Sequence, residues 1–566
     1  MKLLLKGGTV VNVLTDELMR QNVLLGDDRI LGVGDYTEAD ADAVCDASGK
    51  WICPGFFDGH IHIESTLLTP AALTRAALPH GTTAIVADPH EIANVAGTDG
   101  IRFMLEMSEG LPMQVYIMLP SCVPAMPLDE SGAELLAADL QPFYAHPRVL
   151  GLAEMMNYPG VLAGADFVMD KLHGAKQAGR RIDGHAPLLT GRDLDRYLAA
   201  GIQSDHECSS FEEALERVRK GQWVMIRQGT AARNLEALLP LFAEPYSRRC
   251  LLVTDDKHPE ELLRDGHIDA IIRRAVQRGK SAVTGIRMAT LQAAQYFGLT
   301  DSGAVAPGCR ADLLVLDSLD EVRVGRVFAG GRLAAENGVC CDFKAPEYTD
   351  AVRWNRVLHS FRLDPLAADD FRIAPQPGKC RVIGVIPGQL LTEELHESLD
   401  LASAENGVDT ARDILKIAVI ERHRRTGHRG LGFIRGIGLK RGAIAGSVSH
   451  DAHNLIVIGT NDADMAAAAN RVLEMGGGFV CAESGQIAAE VPLPVAGLMS
   501  GADAETVAAQ NDTLNKAVHA RGVPENVAPF MNMAFVSLTV IPHIKMTTHG
   551  LCDVSTQTLL PLFTEV

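Results

Sequence analysis

The sequence predicts an α/β chain: a TIM-like (β/α)8 barrel inserted in a small β-sandwich, followed by a C-terminal α/β domain. Three observations predict it. Eight short apolar runs alternate with Ala/Leu/Arg-rich helical stretches across residues 55–302, which is the length and rhythm of a (β/α)8 barrel. The stretches on either side, 1–54 and 303–344, are both β-rich and broken by Gly and Asp turns. Residues 345–566 then return to a strand, helix, strand order.

At the N-terminus, "LLLKGGTVVNV" and "QNVLLGDDRILGVG" read as short strands, with "GDDRI" as a hairpin turn. After the barrel, "GAVAPGCRADLLVLDSLDEVRVGRVFAGGRL" has the same character and is expected to complete the same sheet. The barrel strands are the run leading into His60, then "TTAIVAD", "MQVYIMLP", "RVLGLAE", "RRIDGH", "GIQSDH", "QWVMIR" and "CLLVTDD". Helices such as "DLDRYLAAG" and "FEEALERVRKG" lie between them and end in Gly, as helices often do. In the last domain "HNLIVIGTN", "MAAAANRVLEM" and "GGGFVCA" give strand, helix and strand. Gly476, Gly477 and Gly478 follow a helix instead of preceding one, so they read as a turn and not as a phosphate cradle.

Composition excludes several classes. The 566 residues are 47% hydrophobic and 22% charged, ordinary values for a globular protein with a large core. A net charge of −19, with no basic block, is a poor match to a nucleic-acid backbone. "MKLLLKGGTVVNV" is too short in its apolar run for a signal segment, and no stretch approaches the roughly 18 apolar residues of a membrane span. The eleven cysteines are scattered, with no CxxC pair, which fits a reducing cytoplasm.

The chemistry gathers at the strand ends. "FFDGHIHIEST" places His60 and His62 two apart, so both imidazoles point to the same side of a strand. Glu154 ends "RVLGLAE", His185 ends "RRIDGH", His206 ends "GIQSDH" and Asp255 follows "CLLVT". The C-terminal strand ends of such a barrel converge on one rim. A single buried histidine usually means only a satisfied core residue, but six such groups at equivalent strand ends point to a metal centre. Six ligands exceed one tetrahedral ion and suit two ions bridged by a carboxylate and a water. Imidazole and carboxylate without thiolate suit Zn, Mn or Fe(II). Water on such a centre titrates near pH ~7, so the expected product is a hydroxide nucleophile.

"PGFFDGHIH", the later ligand positions and "ATLQAAQYFGLTDSGAVAPGCRADLLVLD" resemble the amidohydrolase superfamily. "HIESTLLTP", "ADPHEIANV", "GLAEMMNYPGV", "DGHAPLLTG", "GIQSDHE", "VTDDKHP" and "GSVSHDAHNLIVIGTND" narrow the resemblance to the adenine deaminase family, over nearly the whole chain. The resemblance implies hydrolytic deamination of adenine to hypoxanthine and ammonia, in purine salvage or catabolism, by a metal-bridging hydroxide. It implies two divalent ions, Mn(II) first, with Fe(II) or Zn(II) as alternatives, and a homo-oligomer such as a dimer. It also implies metal ligands at His60, His62, Glu154, His185, His206 and Asp255. Glu154 stands where many relatives carry a carboxylated lysine, and it would bridge the ions.

Asp255 is expected to take the water's proton and pass it to the leaving amine, and Glu154 to protonate N1, with Glu91 and Glu207 as other candidates. Asp256, next to Asp255, is an alternative ligand. Substrate-side candidates are Asp88, His90 and Glu91 in "DPHEIANV", Arg227 in "MIRQGTAARN", and His450, Asp451 and His453 in "SHDAHN". The plain alternatives are an acidic helix N-terminus for the first group, a surface salt bridge for Arg227, and solvated turn histidines for the last. The functional reading of the last is a lid over the barrel mouth. Two other functions stay open: deamination or ring opening of another heterocycle by the same hydroxide, and a non-catalytic assembly protein. A full ligand set argues against the second.

Overall fold

Eight parallel strands form the barrel: Phe56–Ile61 (β1), Thr82–Ala87 (β2), Gln114–Leu119 (β3), Val149–Met155 (β4), Arg181–Gly184 (β5), Ser204–Asp205 (β6), Trp223–Arg227 (β7) and Cys250–Val253 (β8). The computed structural model describes residues 1–230, 232–374, 376, 378–386, 389–399 and 407–564. Strands β1 to β5 pair in sequence order, as do β6 to β8. Two backbone hydrogen bonds close the ring. Gln203 N–H donates to Ile182 O (2.9 Å) between β5 and β6, and Asp255 N–H donates to His60 O (3.0 Å) between β8 and β1.

Each residue of β1 and β4 is buried, as expected for parallel strands covered on both faces. Phe57, Val86, Met118, Leu150, Met225, Leu251 and Val253 pack into one cluster with Tyr296 and Phe297 of the helix Leu291–Phe297. That cluster draws on six of the eight strands and fixes their relative register. The strand ends, where the polar residues sit, inherit their positions from it.

The two β-rich flanks share a sheet. Leu313–Ser318 pairs antiparallel with Trp51–Pro54, which pairs in turn with Thr9–Asn12. A second sheet of four strands is built from residues 2–46. Leu5, Val23, Leu25 and Ile30 of that sheet meet Val10, Ile52, Leu313, Val315 and Phe328 of the other in one apolar core. The sandwich expected from composition is therefore stitched from both ends of the first 350 residues.

The chain folds as two compact units. The first comprises residues 1–89, 104–121 and 136–347, and the second 90–103, 122–135 and 348–566. The second unit has a nine-stranded sheet, on which the helix Asp462–Glu474 packs through Met465, Ala468, Ala469 and Val472. Asn461 caps that helix by accepting the Asp464 N–H. Gly476, Gly477 and Gly478 form the turn that follows, all at positive φ, and a Cβ on Gly477 would lie 2.2 Å from Gly497 Cα.

The segments 90–103 and 122–135 follow barrel strands in sequence, yet they are built into the second unit. Phe103 packs edge-on to Trp354 and Tyr348, and Gly132 N–H donates to Asn94 O. Among the described residues no helix is long and apolar enough to cross a membrane.

Arg422 organises the second unit. It is fully buried beneath the loop of residues 449–454. Nε donates to His453 O, Nη1 to Ser360 Oγ (2.9 Å) and Nη2 to Ala496 O (2.9 Å), with the Phe361 ring 4.3 Å from the guanidinium. Burial pulls the guanidinium down to about 9. Gly497 is at φ +74, and a Cβ there would press within 3.0 Å of the guanidinium nitrogens. Truncating the fork strands two carbonyls and a hydroxyl. Arg422→Met should cost about 3 kcal/mol and lower the melting temperature by roughly 5–10 °C in a thermal denaturation scan. Arg422→Lys should be destabilised as well, because a single ammonium cannot span the three acceptors.

Candidate metal centre

The residues that end β1 set the pattern. His60 and His62 project to the same side, with ring centroids 4.8 Å apart and planes nearly perpendicular. The His60 ring also stacks on His206 at 4.5 Å, and His206 meets His185 edge-on at 5.3 Å. Four imidazoles from three strand ends thus surround one buried space. Asp58 braces β1 against the end of β8, accepting N–H groups from His60 (3.2 Å) and Thr254 (3.1 Å).

Glu154, at the end of β4, lies in the middle. Its Oε1 faces His62 Nε2 at 3.2 Å and His60 Nε2 at 3.8 Å. Its Oε2 faces His185 Nδ1 at 2.7 Å and His206 Nε2 at 3.2 Å. One carboxylate therefore spans two histidine pairs. Burial pushes its pKa up, but His206, His185 and His62 outweigh it and hold Glu154 well below the usual carboxylate range.

Asp255 completes the set. Its Oδ1 is 3.2 Å from His62 Nε2 and 3.7 Å from His60 Nε2. The residue takes a left-handed backbone, φ +62, which an aspartate tolerates better than most side chains. That turn aims Asp255 at the histidines. Asp256 turns elsewhere and accepts a hydrogen bond from Ser65 Oγ at 2.5 Å. Asp255 has an oxygen within 4 Å of both His60 and His62, while Asp256 acts on His62 through its charge.

Supporting residues fix the rest. Tyr197 OH accepts the His185 N–H (3.0 Å) and donates to Met155 O (2.8 Å). Asn234 donates to His206 O and Cys208 O (3.0 Å each) and accepts the Arg227 N–H (2.8 Å). Arg227, at the end of β7, is not a surface residue. Its Nη2 donates to Glu207 Oε2 at 2.8 Å and its Nη1 to Asp255 Oδ2. Glu207 Oε1 in turn lies 3.3 Å from His185 Nδ1 and 3.2 Å from His206 Nε2. Burial raises Glu207, yet Arg227 and His185 outweigh it and hold the carboxyl at about 2. Glu207 belongs to the centre as much as Glu154 does. The signal for it was its place directly after His206 in "SDHE".

Two observations test whether a cation fits. His62 Nδ1 bonds to Asp88 O (3.1 Å), so in the neutral ring Nδ1 carries the proton and Nε2 presents a lone pair. Nε2 faces two carboxylate oxygens at 3.2 Å; burial lowers the ring's pKa, but hydrogen bonds to Asp255 and Glu154 raise it well above the usual imidazole range, so a proton sits where a cation would replace it. His60 Nε2, fully buried, has no hydrogen-bond partner among the described residues. His60, Glu154 and His206 form one group whose donor atoms lie within 4.8 Å of one another, and His60, His62 and Asp255 form a second. Nitrogen and oxygen donors without sulfur match a borderline or hard divalent ion.

The other candidates separate into the two units. Asp88 belongs to the first, at the end of β2, where its carbonyl orients His62. His90, Glu91, His450, Asp451 and His453 are gathered in the second, all buried. His450 Nδ1 is 2.7 Å from Glu91 Oε1, and His453 Nε2 bonds to Glu91 Oε2. His90 Nε2 lies 3.4 Å from Glu91 Oε1 and 3.8 Å from Asp451 Oδ1. Ser449 N–H donates to His453 Nδ1 (3.2 Å), so the ring proton sits on Nε2 and is donated to Glu91. Burial takes His453 down to about 4, which keeps it neutral. These are not solvated turn histidines: they form a hydrogen-bonded cluster on one carboxylate.

The chain is similar to known proteins over its whole length. Residues 51–334 match the amidohydrolase family, and residues 389–558 match the adenine deaminase C-terminal domain. The chain is 45% identical over 560 residues to adenine deaminase 2 of Carboxydothermus hydrogenoformans, covering 99% of this chain and 96% of that one. It is 46% identical over 556 residues to adenine deaminase of Brucella anthropi, covering 98% and 96%. Among solved structures, dihydropyrimidinase from Brevibacillus agri aligns with a TM-score of 0.49 at 16% identity, over 60% of this chain and 96% of that one. With its barrel and its C-terminal unit both accounted for over the full length, the chain belongs to the adenine deaminase family of the amidohydrolases.

Proposed function

We propose that this chain hydrolyses the 6-amino group of adenine to give hypoxanthine and ammonia. The observation that carries the reading is the full-length similarity to relatives named adenine deaminase, at 45% identity over 99% of the chain. The histidine and carboxylate cluster supports it, since it has the donors that a hydrolytic centre needs. Amidohydrolases use divalent metal ions. We assign two to this chain, Mn(II) first and Fe(II) or Zn(II) as alternatives, with His60, His62, Glu154, His185, His206 and Asp255 as the residues that would hold them. When bound, such ions supply a water acidified to about pH 7, against ~15.7 in bulk.

The protein's own residues do the rest. Attack at C6 requires one proton to reach N1 and another to reach the departing amine. Asp255 is the carrier to the amine: its Oδ1 faces the histidine pair and it is ionised, because Arg227 and His62 overcome the effect of burial. Glu154 is expected to protonate N1 if one of its oxygens is free, but both face imidazoles. Glu207 is a second candidate for N1: it is the more exposed carboxylate, but its oxygens also face His185, His206 and Arg227, and it is ionised, so it would take up the water's proton before passing it to N1. Arg227 keeps both carboxylates charged and orients them towards a common space. The eleven cysteines, all free, support a cytoplasmic location. A homodimer is proposed on the family resemblance.

The direct test follows adenine loss by ultraviolet absorbance with Mn(II)-reconstituted protein. Hypoxanthine and ammonia should appear in equal amounts, a chelator should abolish turnover and Mn(II) should restore it. Glu154→Gln and Asp255→Asn should each lower kcat/KM by at least about 10³-fold, comparable to the loss of a group that acts in the transition state. Protein that holds metal but leaves adenine intact, while opening a cyclic amide, would move the assignment to another heterocycle.

A second expectation concerns pH. Arg227 opposes burial and lowers both Asp255 and Glu207. Removing the guanidinium raises both carboxyls towards neutrality, so they become protonated at a higher pH. Arg227→Met should shift the acid limb of the kcat/KM profile upward by about one pH unit. Arg227→Lys should shift it less, and an unmoved acid limb would remove Arg227 from this role.

A further inference from the structure

A second cluster of imidazole and carboxylate in the second unit is built on Glu130 instead of Glu91. Glu130 comes from the segment 122–135, His428 from the turn before the strand Arg429–Arg435, and His549 from the tight turn between Ile544–Thr547 and Gly550–Asp553. His428 Nδ1 is 2.8 Å from Glu130 Oε1, and His549 Nε2 is 3.6 Å from Glu130 Oε2. The two rings lie 4.9 Å apart. All three donor atoms fall within 4.8 Å of one another.

We propose that Glu130, His428 and His549 form a binding site for a first-row transition-metal ion, with Zn(II) as the reference ligand, on the second unit.

Three features carry the assignment. The first is bite. Donors at about 2.1 Å from a tetrahedral ion lie roughly 3.4 Å apart, and the separations of 2.8 and 3.6 Å bracket that value. The second is the state of the rings. The side chains of His428 and His549 are 49% and 33% exposed, so the ring nitrogen turned away from Glu130 can carry a proton in water. Without an ion, His428 Nδ1–H donates to Glu130 Oε1; an incoming ion would displace that proton to the outward nitrogen and take the lone pair. The cluster on Glu91 differs here, because Ser449 N–H occupies the outward nitrogen of His453 and locks its proton inward, whereas no protein hydrogen bond is made to the outward nitrogen of His428 or His549 among the described residues. The third is support around the carboxylate. Thr548 Oγ donates to Glu130 Oε2, and Asn454 Nδ2 donates to Glu130 O at 2.9 Å. A ligating carboxylate is usually steadied by such outer hydrogen bonds.

Two imidazoles and one carboxylate select Zn(II), Ni(II) or Cu(II) over Mg(II) or Ca(II). An ion here would join three segments that are more than a hundred residues apart in sequence, and would leave one coordination position to water.

The test counts ions by equilibrium dialysis of the full chain at about 10 µM free Zn(II), followed by elemental mass spectrometry. Wild type should hold one more Zn(II) per chain than His549→Asn or His428→Asn, whatever number the barrel binds. The affinity of that ion should fall at least 30-fold in either variant. Zn(II) should also raise the melting temperature of wild type more than that of the variants. Both substitutions lie at solvent-accessible positions, and melting without Zn(II) checks their fold. If one variant fails to fold, the other is decisive. Equal counts in wild type and variants would overturn the site, and would do so without touching the barrel assignment, which is read from the remaining ions.

Discussion

The carboxylate of Glu154 is the interaction on which the rest of the centre depends. Both of its oxygens are spoken for, one by the histidines that end β1 and the other by those that end β5 and β6. A buried carboxylate is expensive unless it is paired, and this one is paired from both sides. It ties distant parts of the barrel wall to one point. It also separates the histidines into two sets, so that the space around it divides naturally in two. A lysine at this position would need chemical modification to do the same.

Around this core, the positioning groups use the backbone as much as side chains. Asn234 holds His206 and Arg227 through main-chain atoms, Tyr197 holds His185 through its N–H, and the Asp88 carbonyl sets the proton on His62. The second unit repeats the theme with Glu91 between His450 and His453 and Arg422 beneath them. What separates the two clusters is the location of ring protons. In the first, the Asp88 carbonyl holds the His62 Nδ1 proton and leaves Nε2 turned to the carboxylates. In the second, hydrogen bonding turns an N–H inward, which satisfies Glu91 without a metal.

Much of this is legible in the sequence alone. The barrel rhythm and the polar residues at the strand ends follow from local periodicity, which survives folding because the strands are buried on both faces. That Asp255 is the aspartate brought within 4 Å of His60 and His62 is not legible there, because it depends on one left-handed backbone angle at the end of β8. Arg227 can be read equally as a surface pair, since only the tertiary fold brings Glu207 and Asp255 to it. Glu207 itself is easily undervalued, because a carboxylate next to a histidine is common on any surface. The membership of segments 90–103 and 122–135 in the second unit is also hidden. Their partners, Trp354, Tyr348 and Asn454, are hundreds of residues away, and pattern alone does not reveal such pairings.

That interleaving has a consequence for how the molecule is made and inherited. During synthesis, Phe103 and its neighbours emerge some 250 residues before the tryptophan that covers them, so apolar surface must wait uncovered while the barrel is completed. Neither unit is a cassette. A cut at the apparent boundary near residue 347 would leave two orphan segments, one of them helical, in one piece and remove their packing partners into the other. The two sequence matches look like separable modules, yet the range of the first includes segments 90–103 and 122–135, which pack into the unit of the second.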